Sequence, residues 1–481
     1  DHARGGFVDA ELALDQGGKF LALRTHTKVP IGAYYTTDRN VGCATSGLGG
    51  LAGVYGIPHI HAQVTGVLTN MMSNAQYRGG AKPEPVHVLE VMVDMAARAA
   101  GIDAVELRRR NMLGPDALPF KTCMGDHFDC GDFTGNLEDA LSAAGYDEFD
   151  TRRADAKARG KLLGIGTSNS ITGVANTNFE HVEIRFDASG GVTLLSGAMD
   201  HGQGHGTTFK QVLSHRLGVD PSNVTYRYGD TDKVAHGVGT FNARVAVFVS
   251  AAIVEAANKI VEKGSRIAAH LLEAADSDIE FADGTFTVAG TDRAISLEDV
   301  AKAAFVKPKL PADMEPGLYE HGQFGASPGA GSTFPNGVHV AEIEVDEDTG
   351  KVELVRYTAV DDAGTILNPL LFDGQIHGGV VQGVGQILME DVNYDRVSGQ
   401  LVSASFMDYC MPRADDFCDF NIAAKEIPTA RNPLGVKGVG ESGTVGAMPA
   451  VMNAVNDALT RVGAPTVEMP ATAEKVWRAL N

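Results

Sequence analysis

The sequence has no block of clustered basic residues. Its 481 residues carry 40 Lys and Arg against 61 Asp and Glu, a formal net charge of −21. Nucleic acid is therefore a poor partner, because phosphate binding needs clustered cations. There is no run of about 18 apolar residues, which argues against a membrane-spanning helix. The first residues, DHARGGFVDAELALD, carry no basic-then-apolar leader and read as if entered within a domain. The five cysteines, Cys43, Cys123, Cys130, Cys410 and Cys418, are odd in number and include no C-x-x-C pair. That pattern signals neither a disulfide framework nor a zinc or iron–sulfur site, and reduced thiols in a cytoplasmic setting are expected. No internal repeat or low-complexity tract is present.

What the chain has in quantity is core material and glycine. With 44% hydrophobic and 21% charged residues, a chain of this length folds into two or three domains at roughly 100–200 residues each. Alternation in HVEIRF (181–186), GVTLLSG (191–197) and VHVAEIEVD (338–346) predicts half-buried strands. Helical spacing marks residues 86–101, 105–113 and 246–275. Strands and helices mix without a βαβ rhythm, so the fold class is α+β rather than a Rossmann array. The polar, turn-rich run from 116 to 160 divides the chain into 1–115, a linker, and 161–481. A second irregular stretch, Lys307 to Gly337, reads as a long loop over a site or an inter-domain crossing.

Several glycine-rich segments share one design. After the strand 191–197 comes DHGQGHGTT, then an apolar helical face at Phe209, Val212, Leu213 and Leu217. Backbone N–H groups at such a helix start favour an anion, with Thr207 or Thr208 as cap, although a plain tight turn gives the same pattern. GDTDKVAHGVGTFNAR (229–244) is a second such loop, and neither carries the lysine of a P-loop. FDGQIHGGVVQGVGQ (372–386) sets Gln375, Gln382 and Gln386 among glycines ahead of an apolar stretch. Amides there suit a pterin or base edge, or equally the satisfaction of buried backbone.

GVGESG (438–443) has the G-x-G-x-x-G spacing of a dinucleotide loop. With 57 glycines such matches arise by chance, and GLGGLA (47–52) is another. The motif also requires a strand directly before it, whereas IPTARNPLGVK contains two prolines and no alternation. Glu441 at its fourth position would repel a pyrophosphate. It reads instead as a general base mounted in glycines, or as a solvated loop residue.

Taken together, these segments resemble the large subunits of the molybdenum hydroxylases, the group of xanthine dehydrogenase, aldehyde oxidoreductase and aerobic carbon monoxide dehydrogenase. NAQYRGGAKPEPVHVLEVMVDMAARAAG, DHGQGHGTT, GDTDKVAHGVGTFNAR and GVKGVGESGTVGAMPAV resemble family segments and stand in the family order. The resemblance implies two molybdopterin-binding domains, the first incomplete at its N-terminus. It implies molybdopterin cytosine dinucleotide carrying molybdenum, with the metal held by the pterin dithiolene and no protein metal ligand. Cofactor contacts are implied at Gly202, Gln203, Gly204, Thr240, Asn242, Ala243, Arg244, Gln375, Lys437, Gly438, Val439 and Gly440. Tyr77, Arg78 and Gly79 fall in the vicinity of substrate and cofactor. Glu441 is implied as the base that activates a metal-bound hydroxyl against an electron-poor CH=N or aldehyde carbon.

Electrons would pass to partner subunits carrying 2Fe-2S clusters and FAD, and a separate polypeptide is a candidate source of the family's N-terminal part. The runner-up is a fold-retaining fragment or assembly module without activity. Two departures bear on substrate. Carbon monoxide dehydrogenases carry a cysteine after the Tyr-Arg pair, where this chain has Gly79, so carbon monoxide oxidation is disfavoured. The second glycine of the family's Arg-Gly-x-Gly-x-Pro run is Ala81 or Lys82 here, depending on alignment.

Overall fold

A computed structural model describes residues 2–176, 178–325 and 332–481. Strands and helices segregate into three packed units, in keeping with the α+β expectation. In the first, Phe7–Leu14, Phe20–Gly32 and His59–Leu68 form a three-stranded sheet. The short helix α1 (Arg39–Thr45) lies between its last two strands. Beside the sheet lie α2 (Pro83–Ala100) and α3 (Ala104–Asn111). The apolar stripe of α2, Leu89, Val93 and Ala97, buries against Phe20, Leu23 and Tyr55.

The stretch 116–160, expected as a linker, is built differently. It contains α4 (Phe133–Ala144) and α5 (Phe149–Ala158). Asp132 caps α4 by accepting from the Gly135 N–H at 2.9 Å. Leu137, Ala140, Leu141 and Ala156 then bury against a central four-stranded sheet. The polar character that suggested a linker belongs to the outer faces of these helices, and their apolar spacing holds them to the second half of the chain.

That central sheet runs in the order Phe420–Lys425, Val352–Asp362, Asn336–Asp346, Lys161–Ile171. The period-two alternation of Asn336–Asp346 sets its two faces. Val338 and Val340 meet the α4 and α5 side, while Ala341, Ile343 and Val345 meet the opposite layer. The opposite layer includes two helices defined below, which carry the site.

The third unit packs α6 (His205–Leu217) and α7 (Arg244–Leu272) on a second four-stranded sheet, ordered Tyr319–Gly325, Phe179–Phe186, Val192–Ser196, Val224–Tyr228. The short helix α8 (Leu297–Ala303) closes its core through Leu297 and Val300. Tyr319–Gly325 lies within the region read as irregular loop, so that region contributes an edge strand; residues 326–331 of it lie outside the described residues.

The remaining pair is α9 (Pro369–Leu388) and α10 (Ser442–Arg461). The glycines of 372–386 stand ahead of an apolar stretch in the sequence. They are helical throughout, and the reason is contact with a neighbour: a Cβ at Gly379 would meet Gly443 Cα and Thr444 N, both at 2.9 Å. Glycine lowers helix propensity, but here it lets two helix backbones approach. No helix among the described residues is long and apolar enough to cross a membrane.

Candidate active site

Five segments far apart in sequence enclose a cavity of about 1110 Å³. They are the 75–82 turn before α2, the 201–208 loop into α6, the 240–246 loop into α7, the first turns of α9, and 436–441 before α10. Four of the five end on a helix start. Of the expected residues, Tyr77, Arg78, Gly202, Gln203, Thr240, Asn242, Ala243, Gln375, Gly438, Val439, Gly440 and Glu441 line the cavity. Gly79, Gly204, Arg244 and Lys437 do not.

Glu441 occupies the N-cap position of α10 and is 9% exposed. The preceding strand ends at Lys425, and the stretch between contains Pro428 and Pro433, so no strand feeds GVGESG. Its carboxylate Oε2 accepts from the Lys82 ammonium at 2.7 Å. Lys82 is itself the N-cap residue of α2, with Pro83 at the first helical position. The same ammonium also donates to Asn242 Oδ1. The residues that open two helices, Lys82 of α2 and Glu441 of α10, thus meet in one charge-assisted hydrogen bond.

Arg78 fixes the loop that carries this acid. Its Nε donates to the Gly440 carbonyl at 2.6 Å, its Nη1 to Gln382 Oε1 at 3.0 Å, and its Nη2 to the Gln375 carbonyl and side-chain oxygen at 3.1 and 3.0 Å. Gln382 donates onward to the Tyr77 hydroxyl at 2.6 Å. Behind them Arg4 stacks over the Tyr77 ring at 5.2 Å, pairs with Glu84 at 3.2 Å, and donates to the Arg78 carbonyl and to Gln386.

The two glycine loops are tied to each other. Thr240 Oγ1 donates to the Met199 carbonyl at 2.6 Å, while Asn242 Nδ2 reaches a third segment, donating to Asn176 Oδ1 at 2.8 Å. Gln203 spends its amide on its own loop, accepting from His201 N–H at 2.7 Å and donating to the Met199 carbonyl at 3.2 Å. The helix start at α6 already has an anion: Asp200 accepts from Gly202 N–H and Gly206 N–H, both at 3.0 Å. Gly204 is the N-cap residue; Thr207 and Thr208 lie inside the helix, and Thr208 Oγ1 donates back to the Gly204 carbonyl at 3.2 Å.

Two expected cofactor contacts point elsewhere. The Arg244 guanidinium is fully buried, paired with Glu180 and donating to the Gly239 carbonyl at 3.0 Å. Asn242 and Ala243 ahead of it adopt left-handed backbone, φ +54° and +45°, which turns the next side chain into the core. Lys437 is likewise buried, its Nζ 2.5 Å from Asp362 Oδ2. Both charges brace the loops beside the cavity.

The cavity suits a pterin in the ways the chain can show. Gly438, at φ +85°, approaches so closely that a Cβ would meet the Ala243 carbonyl at 2.6 Å. That brings two backbone segments side by side along one wall. Gly202, at φ +108°, has open space around it. Main-chain amides and the Gln375 carboxamide supply uncharged donors and acceptors, the chemistry a polar fused heterocycle requires. Among the described residues no group of three or more His, Cys, Asp or Glu side chains is placed to hold a metal ion.

Residues 1–112 and 139–418 match two molybdopterin cofactor-binding domain families. The chain belongs to the molybdenum hydroxylase large subunits. Over 99% of its length it is 35% identical to the nicotine 6-hydroxylase large subunit of Paenarthrobacter nicotinovorans, covering 60% of that protein. It is 33% identical to the carbon monoxide dehydrogenase large chain of Hydrogenophaga pseudoflava, over all of this chain and 61% of that one. The solved quinoline 2-oxidoreductase from Pseudomonas putida 86 superposes with a TM-score of 0.93 at 33% identity, over 99% of this chain and 62% of the other. This large-subunit sequence therefore spans about 60% of the length of the curated relatives it matches.

Neither Lys82, marked in the sequence only as a departure from the family run, nor Arg4 is among the expected site residues. Lys82 had a signal, a charged residue directly before a helix-initiating proline inside a family motif. Ala81 carries φ +68°, so it is Ala81 that occupies the left-handed position glycine favours, and Lys82 follows it. Arg4 had none, because its partners lie far along the chain.

Proposed function

We propose that this large subunit is the catalytic part of a molybdenum hydroxylase that hydroxylates the CH=N carbon of a nitrogen heteroarene or oxidises an aldehyde, with Glu441 as the general base. One observation carries the reading: a carboxylate, nearly buried, lines the cavity beside the 240–243 loop and the start of α9, oriented by Lys82 and by the Arg78 clamp. A general base must be held within reach of the proton it takes, and a rigid glycine mount at a helix start provides that. Gly202, Thr240, Asn242, Ala243, Gln375 and the 438–440 backbone would hold molybdopterin, in the cytosine dinucleotide form. That group, when bound, supplies the water-derived oxygen and accepts the two electrons. The chain's own part is to bind and orient, to exclude water, and to receive a proton at the Glu441 carboxylate.

A nicotine hydroxylase and a quinoline oxidoreductase among the relatives support a nitrogen heteroarene. A carbon monoxide dehydrogenase is also among them, but Gly79 argues against that reaction here. Gly79 has φ +99°, and a Cβ there would meet Pro83 Cγ at 2.4 Å, so this backbone does not accept the cysteine that binds copper in those enzymes. Electrons leave for iron–sulfur and FAD partner subunits in this reading, and the five unpaired cysteines accord with a cytoplasmic setting.

Glu441→Gln in the assembled, cofactor-loaded complex tests the base. Molybdenum content stays at the wild-type level while turnover falls by about 10²-fold or more. Near-normal turnover in that variant would sink the assignment.

A further inference from the structure

We infer that Lys82 is a specificity-determining residue: it holds Glu441 by one N–H and presents another to a neutral hydrogen-bond acceptor on the substrate, an aromatic nitrogen or a carbonyl oxygen. The inference rests on the reading of Glu441 as base and extends it to substrate recognition.

Lys82 is 8% exposed, and both it and Glu441 line the cavity. An ammonium has three donors. One goes to Glu441 Oε2 at 2.7 Å and one to Asn242 Oδ1. No third acceptor lies within hydrogen-bond distance among the described residues, so one N–H of a nearly buried cation is left for whatever enters the cavity. A donor in such a place discriminates strongly, because a ligand lacking the acceptor leaves it desolvated and unpaired. The charge of Lys82 is balanced by Glu441, which selects a neutral acceptor over a second carboxylate. Phe209, Phe241, Leu367, Leu371 and Phe372 give the same cavity apolar lining for a flat ring. A substrate whose nitrogen or oxygen adjoins the attacked carbon then meets the base and the donor together.

Glu441 and Lys82 start two different helices, so their relative position is set by how α2 and α10 pack. Neither side chain needs a flexible loop to reach the other. The donor is consequently fixed with respect to the base, and it selects by position as well as by chemistry.

The test uses dithionite-reduced holoenzyme, in which no turnover occurs, and two pairs of probes that differ only in the acceptor: quinoline against naphthalene, and benzaldehyde against styrene. Wild-type protein binds at least one acceptor-bearing probe tenfold or more tightly than its hydrocarbon partner. Lys82→Met reduces that ratio to within twofold of unity in folded protein that keeps wild-type molybdenum content, even though stranding Glu441 lowers its melting temperature. Loss in the quinoline pair assigns a ring nitrogen, and loss in the benzaldehyde pair a carbonyl oxygen. If Lys82→Met does not fold, Lys82→Gln, which keeps an amide donor for Asn242 but no ammonium, shows the same loss. A wild type without preference in either pair, or variants that keep the preference, overturn the inference. Probe binding needs no turnover, so it fails or succeeds independently of Glu441→Gln.

Discussion

The Arg78 Nε–H donates to the carbonyl of Gly440, 362 positions further along the chain, at 2.6 Å. The residue after that carbonyl is Glu441, so the arginine grips the base through the peptide directly before it.

Removing that grip has a double cost. Arg78→Ala leaves the Gly440 carbonyl and the Gln375 and Gln382 oxygens without their donor, and buried acceptors left unpaired cost roughly 2–4 kcal/mol in sum. Urea unfolding of the variant shows that loss, and turnover falls with it. Arg78→Lys recovers little of either, since a single ammonium cannot reproduce the planar fork that reaches four acceptors.

Lys437 and Arg244 are expected to matter for stability. Lys437→Met leaves Asp362 buried with an unpaired charge, although Asp362 still accepts from Gly364 N–H at 2.9 Å. A loss of about 3–5 kcal/mol follows. Denaturant titration reads it, and molybdenum bound per folded chain stays within about twofold of wild type. Arg244→Met, which strands Glu180, behaves alike.

Acid should destabilise the protein partly through His205. Burial, opposed by nearby Asp200, lowers the pKa of this imidazole to about 4 from 6.5. The folded chain therefore binds the proton more weakly than the unfolded one. The stability tied to the neutral ring is whole above pH 6.5, falls as pH drops toward 4, and amounts to about 3 kcal/mol at most. The neutral form also fits its partner: Gln203 Nε2 lies 3.2 Å from His205 Nδ1, and the amide is oriented by accepting from His201 N–H. His205→Gln flattens the stability profile between those two pH values, as measured by urea midpoints across the range.

Gly79→Cys does not create a carbon monoxide oxidase. The new Cβ would sit 2.4 Å from Pro83 Cγ, and the backbone has φ +99°. The variant loses about 1–3 kcal/mol. No carbon monoxide oxidation appears when it is supplied with copper; appreciable oxidation would show that the turn before α2 adapts.

Much of this was readable from one chain. Period-two and period-3.6 patterns located the strands at 181–186 and 338–346 and the long helix α7, because their buried faces are continuous. Glu441 stood out because an acid contradicts the motif around it. What escaped were directions and partners. Arg244 and Lys437 adjoin cofactor-type loops in sequence and turn inward in space, since the acids that hold them, Glu180 and Asp362, are 64 and 75 residues away. The close packing of the α9 glycines was not legible, because the helix they press against is contributed by a distant segment. The helices at 133–158 were hidden by their polar outer faces.

The contact between α9 and α10 also limits how this cavity can change. Where Gly379 and Gly383 meet Gly443, Thr444 and Ala447, a single added methyl group would collide with neighbouring heavy atoms at 2.8–2.9 Å. That contact behind the cavity is built from glycines and small side chains with no room to grow, so its spacing is inherited as a unit. The cavity lining itself includes Thr37, Arg39, Phe241, Leu367 and Leu371, whose side chains can be exchanged one at a time. Divergence toward new substrates is therefore channelled to those lining side chains, while the spacing of the helix that starts at the base stays fixed.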